Sequence, residues 1–182
     1  MGNTNDGGGF KGYEKDPSHS SHLAHIIGGF LVNFSGLELA AGVWLRALTT
    51  DEVAALALKD LPLRQKIQVI YSLLDAERIP PPHCNEVKEI WQQVDKLREI
   101  RNQVAHNPVL FGWHGQERDA PPDFAGVLDR RKGSKANKPQ PGLISSQDIA
   151  SSQDQAANLA QKLYELAEKL ESIGILPLTT RE

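Results

Sequence analysis

NEVKEIWQQVDKLREIRNQVAHNP, residues 85–108, is the stretch whose reading decides the fold. Val87, Ile90, Trp91, Val94, Leu97, Arg101 and Val104 recur at steps of three and four, so they share one face of a helix. Asn85 is a candidate N-cap. Pro108 disfavours helical geometry at Asn107, so the helix is expected to close near His106. One member of the stripe does not belong to a core. Arg101 stands where the seven-residue steps from Val87 and Val94 call for an apolar side chain. A guanidinium there needs a charged or hydrogen-bonded partner, since burying it unpaired costs on the order of several kcal/mol.

Upstream, Ile26, Ile27, Phe30, Leu31, Phe34, Leu37, Ala41, Val43, Trp44, Leu45 and Leu48 mark a long helix with a broad buried face. Gly36 and Gly42 each cost such a helix up to about 1 kcal/mol relative to alanine. Their presence points to a close-packed neighbour, either another helix or a second subunit. Thr50 and Asp51 can cap a short helix running to Lys59. Pro62 suits the first turn of the next helix, with its stripe of Leu63, Ile67, Ile70, Tyr71 and Leu74. Pro80, Pro81 and Pro82 are expected to end that helix.

Downstream, the helical rhythm breaks over residues 109–144. Val109, Phe111 and Trp113 alternate with Leu110, Gly112 and His114, which suggests a short hairpin or an irregular insert. Ser145 or Ser146 then opens a last long helix packed through Ile149, Ala156, Leu159, Leu163, Leu166, Leu170 and Ile173. The expected fold is all-α, an up-and-down bundle of four to five helices with that insert before the last one. The expected domain covers residues 19–176, between a glycine-rich flexible tail at 1–18 and a short C-terminal tail at 177–182.

Composition narrows the function classes. The 182 residues carry 20 Lys and Arg against 23 Asp and Glu, so no global positive field attracts nucleic acid. A nucleic-acid ligand needs a local basic surface, and Arg130, Arg131 and Lys132 supply one inside the insert. The single cysteine, Cys84, excludes an internal disulfide and fits a reducing compartment. His83 beside Cys84, with His114 far off, has no ligand spacing, so no metal and no cofactor are expected. No secretion signal and no apolar run approaching the ~20 residues of a bilayer span are read, so the expectation is a cytoplasmic protein without membrane contact.

The chemistry-bearing residues are Arg101 and His106. An always-charged donor fork beside a group that titrates near neutrality suits a phosphodiester. On a regular helix five residues set two side chains roughly 140° apart, so fraying ahead of Pro108 is what would let His106 turn back towards Arg101. The plainer reading stays open: Arg101 as a structural ion pair, and His106 as a cation favoured by the helix C-terminus.

The stretch Arg101-Asn102-Gln103-Val104-Ala105-His106 resembles the signature of the HEPN superfamily, an arginine, a polar residue and a histidine a few positions on. It falls at the end of the third of four main helices. Around it, Phe34-Ser35-Gly36-Leu37-Glu38 lies in the first helix and Leu63-Arg64-Gln65-Lys66-Ile67 in the second, and the resemblance covers roughly residues 22–175. It implies a helical bundle that forms homodimers, and a metal-independent endoribonuclease that serves as a toxin or defence effector. His106 would be the general acid or base, and Arg101 would stabilise charge on phosphorus. Asn102 would orient the motif or bind phosphate, and Glu38 would pair with Arg101 or set the His106 tautomer. RNA would be the substrate, contacted by Arg130, Arg131 and Lys132, with an antitoxin or regulatory protein as partner. The family also has members whose bundle is a non-catalytic module binding a protein or nucleotide, and that alternative stands beside the nuclease.

Overall fold

The computed structural model describes residues 17–49, 51–76, 79–112, 124–129 and 142–176. Five helices and three short strands follow in the order α1 (Pro17–Leu48), α2 (Glu52–Leu58), α3 (Leu63–Asp75), α4 (Pro81–His106), β1 (Val109–Gly112), β2 (Phe124–Asp129), β3 (Gly142–Ser145) and α5 (Ser146–Ser172). The fold is a helical bundle with a small antiparallel sheet set between its last two helices.

The core forms where the expected stripes meet. Phe30, Phe34, Leu37, Ala41, Trp44 and Leu48 of α1 are buried against Ile149, Ala156, Leu159, Leu163 and Leu170 of α5. The first and last helices thus make the most extensive pairing, and α3 and α4 close the remaining sides of α1. Gly36 belongs to the α1–α5 contact, since a Cβ there would lie 3.6 Å from Ala160. Two side-chain bonds fix the helix register: Trp44 Nε1 donates to the Leu163 carbonyl at 3.1 Å and Asn33 Nδ2 to the Gln153 carbonyl at 3.1 Å. Trp91 is also fully buried, and its Nε1 has no hydrogen-bond partner among the described residues.

Helix boundaries follow local chemistry. Asp51 caps α2, its carboxylate accepting from the Val53 and Ala54 amides. Ser145 caps α5 through a reciprocal box with Asp148. The far end of α5 closes on Gly174 in the left-handed region, with Ile175 N bonding Leu170 O and Gly174 N bonding Glu171 O, both at 2.8 Å.

Several expectations need correction. Asn85 is not the cap of α4: the helix starts at Pro81, with Pro80 as its cap residue. Pro81 and Pro82 begin α4 instead of ending α3, because the first helical positions have no use for an amide hydrogen. Helical structure at the other end of the chain likewise starts earlier than expected, at Pro17, inside the segment assigned to a flexible tail. The insert, expected as a hairpin or irregular, is a three-stranded antiparallel sheet in the order β1-β2-β3, with Val109 opposite Val127 and Val127 opposite Ile144.

Another concerns α1. Ser21–Leu48 is long and apolar enough to cross a membrane by length and composition, with a mean hydropathy of 1.6 over its most apolar window. Only Glu38 and Arg46 are charged in that span. Such richness arises because α1 has an apolar face for the core and a second apolar face outside it, where Val32 and Leu39 are exposed.

Candidate functional site at the end of α4

Local sequence sets the end of α4. Asn107 is driven to an extended conformation (φ −113°, ψ 154°) by the proline after it, while its amide still donates to the Gln103 carbonyl at 3.0 Å. Pro108 then hands the chain to the sheet, its carbonyl accepting from Leu128 N at 3.2 Å. Helical geometry therefore persists through His106. The fraying expected ahead of Pro108 is absent, because the proline constrains Asn107 and nothing earlier.

Arg101 is half-buried, with its Cζ 5.9 Å from the centroid of the Phe34 ring of α1. That ring is a buried core side chain, so the guanidinium lies on the rim of the core with its stem against apolar surface. Its Nη1 donates to Asn102 Oδ1 at 3.4 Å, a long and weak contact. Among the described residues no carboxylate comes within ion-pair distance of Arg101, whereas Arg98, three residues earlier, pairs with Asp95 at 2.7 Å. The positive charge is thus held in place by an aromatic face, with no anion beside it among the described residues.

His106 is exposed on the last turn of α4, and its imidazole makes no hydrogen bond or ion pair among the described residues. With α4 regular to this point, Arg101 and His106 leave the helix about 140° apart. One turns to α1 and the other to solvent. Asn102 is half-buried beside Arg101. Glu38 is exposed on α1, one turn beyond Phe34, and makes no ion pair with Arg101. The arrangement brings Arg101 and Asn102 together but does not join His106 or Glu38 to them within one chain. Arg130, Arg131, Lys132, Trp113 and His114 lie outside the described residues.

Phe34 is the member of this neighbourhood that sequence reasoning missed as a site residue. It read as core, and its second role as the platform for Arg101 depends on how α1 crosses α4. Cys84 is buried, its thiol 3.8 Å from the Leu74 carbonyl, and His83 Nδ1 lies 3.9 Å from Glu86. These contacts tie the first turn of α4 to the end of α3 and to itself. Among the described residues no three His, Cys, Asp or Glu side chains gather as a metal site would require. Compared with protein-family models, with curated proteins and with solved structures, the chain finds no match in any of the three.

Proposed function

We propose that the protein is a metal-independent endoribonuclease of HEPN type, with Arg101 and His106 as its working pair. The observation that carries this reading is the half-buried Arg101, held on Phe34 with no carboxylate partner among the described residues. A guanidinium with its own anion, as Arg98 has in Asp95, is already neutralised. One left without an anion suits a phosphate supplied from outside, with its planar fork matched to two phosphate oxygens. Asn102 adds an amide to the same face. His106, exposed and without a hydrogen bond or ion pair among the described residues, supplies a proton acceptor for the 2′-hydroxyl or a donor for the departing oxygen. Acid–base help of this kind is worth about 10²–10⁴-fold, and stabilising charge on the pentavalent phosphorus contributes a further share.

The divergence of the two side chains sets a condition. RNA has to wrap the end of α4, or a second copy has to bring its own pair to complete the site; a homodimer meets that need. The reading sets the protein in the cytoplasm, where Cys84 stays reduced, with RNA as substrate and an antitoxin or regulatory protein as the partner that restrains it.

Incubating the purified chain with RNA in excess EDTA tests the proposal. The expected result is cleavage that Arg101→Ala and His106→Ala each reduce by at least about 10²-fold. Equal cleavage by the variants, or none by the parent chain, overturns it. The exposed apolar surface of α1 and α2 favours a second reading, a binding module without hydrolysis, which predicts an inert protein whose Arg101 variant loses only stability.

A further inference from the structure

The last turn of α4 carries more polar chemistry than Arg101 and His106 use. Side chains leave a regular helix at about 100° per residue, so Arg101, Asn102, His106 and Gln103 follow one another around α4 at about 0°, 100°, 140° and 200°. Gln103 is therefore the neighbour of His106 on the side away from Arg101, at the three-residue spacing that sets side chains together. It is also held in place. Pro108 drives Asn107 into an extended conformation, and from there Asn107 bonds to Gln103 twice. Its backbone N–H donates to the Gln103 carbonyl, and its side-chain Nδ2 donates to Gln103 Oε1. Both side chains are half-buried. This lock leaves Gln103 Nε2 and Asn107 Oδ1 without a partner among the described residues. Turning both amides over exchanges their roles and still leaves one donor beside one acceptor. Pro108 and Val109 are exposed immediately past the amides, Val109 by 42%.

We propose that the locked Gln103–Asn107 pair reads the base adjoining the scissile phosphate, and that the base it fits is adenine. The inference rests on the nuclease reading and adds a substrate preference to it. An amide offers a donor beside an acceptor, and adenine answers with an amine beside a ring nitrogen. Adenine does so on its Watson–Crick edge through N6 and N1, and on its Hoogsteen edge through N6 and N7. A fixed amide thus meets it whichever edge arrives. Guanine has two acceptors on its Hoogsteen edge, and each pyrimidine has a single hydrogen-bonding edge. Both edges are open only in an unpaired base, so the substrate is single-stranded RNA. Pro108 and Val109 give the ring an apolar surface to cover. The order around the helix then matches the order along a nucleotide. Phosphate lies on Arg101 and Asn102, the reacting oxygen at His106 and the base on Gln103. Asn107 acts both directly and as the residue that positions Gln103, so that little freedom is left to lose on binding.

Binding by the full-length His106→Ala chain, which spares the probe from cleavage, is the test. Fluorescence anisotropy compares short labelled oligoadenylate, oligocytidylate and oligouridylate. Oligoadenylate is expected to bind about tenfold more tightly than either pyrimidine oligomer, as one well-made amide–base pair provides. Adding Gln103→Ala or Asn107→Ala should bring that ratio close to one. The ratio compares ligands on the same folded molecules, so lost stability in either variant does not move it. Asn102→Ala should instead weaken all three probes alike. Equal binding of the three, a preference for adenine that either amide variant keeps, or no binding overturns the proposal. Mapping the cuts that the parent chain makes in RNA separates this inference from the reading beneath it. Cuts without base preference remove the adenine assignment alone. Adenine-dependent binding without cuts removes hydrolysis and leaves the amide pair as a base-binding site.

Discussion

Arg101 shows how one side chain can be legible in a sequence while its partner is not. Its place on an apolar stripe identified it as anomalous, but the family resemblance offered Glu38 as a group that would pair with it or set the His106 tautomer. The contact it makes is with Phe34, a residue that periodicity had already given to the core, because a ring at the core rim offers both apolar cover and an electron-rich face. Removing the guanidinium should therefore cost stability as well as any activity. Arg101→Ala is expected to lose about 1 kcal/mol from the cation–ring contact and stem packing, a fall in Tm of about 2–4 °C for a chain of this size. Thermal melts of Arg101→Ala and Arg101→Lys measure it. Lysine should recover part of the loss, since it keeps the charge but not the planar stack.

Tyr71 supplies a second prediction at this scale. Burial, and then the negative charge of Asp95, push its hydroxyl above the ordinary value of 10.0, while Lys88 opposes the shift. The proton is therefore held more tightly in the folded chain than in the unfolded one. Its stabilising effect is complete below pH 10.0 and is lost as pH rises through the folded value. Lys88, raised chiefly by its bond to Asp75, moves in the same direction. Urea midpoints measured from neutral pH upwards should fall on the alkaline side, and Tyr71→Phe should flatten that fall. Burial raises Tyr164 as well, so part of the slope should remain.

Among the elements, the long helices were legible because their apolar residues repeat for many turns. The inner face of α1, the stripe of α4 and the start of α5 at Ser145 all stand where periodicity and capping chemistry set them. The failures lie where periodicity is silent. The stripe of α4 begins only at Val87, so nothing in it marks the first turn at Pro81–Pro82, and prolines serve equally to stop one helix or to start the next. The sheet was half-legible, since β1 is only four residues and its partners lie a dozen or more residues further on. The end of α4 was legible, but the convergence of His106 with Arg101 was not, because a proline two residues on leaves the last turn intact. The caps of α5 give this scale its prediction. Gly174 has φ 72°, where a side chain costs about 1–2 kcal/mol, and Ser145 holds a capping box worth about 1 kcal/mol. Gly174→Ala and Ser145→Ala should each lower the unfolding free energy by those amounts in urea titrations. The two effects should add, because the sites sit at opposite ends of α5.

The whole molecule is organised around a pairing of its first and last helices, and that has a consequence for how it opens. α1 buries Phe30, Phe34, Leu37 and Trp44 against an α5 face of Ile149, Ala156, Leu159 and Leu163, and Trp44 and Asn33 add bonds across the seam. α2 buries nothing and is held by its Asp51 cap and a limited contact with α1. Local opening free energy follows buried apolar contact, so the amides should divide into two classes under native-state hydrogen exchange. Those of α1 from Phe30 to Trp44 and of α5 from Ala156 to Leu166 should exchange only with global unfolding, and their opening free energies should equal the value from urea. Those of α2 should exchange early and be insensitive to denaturant, as small local openings are. Trp44→Phe, which removes the bond to the Leu163 carbonyl, should lower the protection of both helices together, although the substitution is in one of them. Protection that fell in α1 alone would mean that the two helices open separately and that the bundle has no shared core.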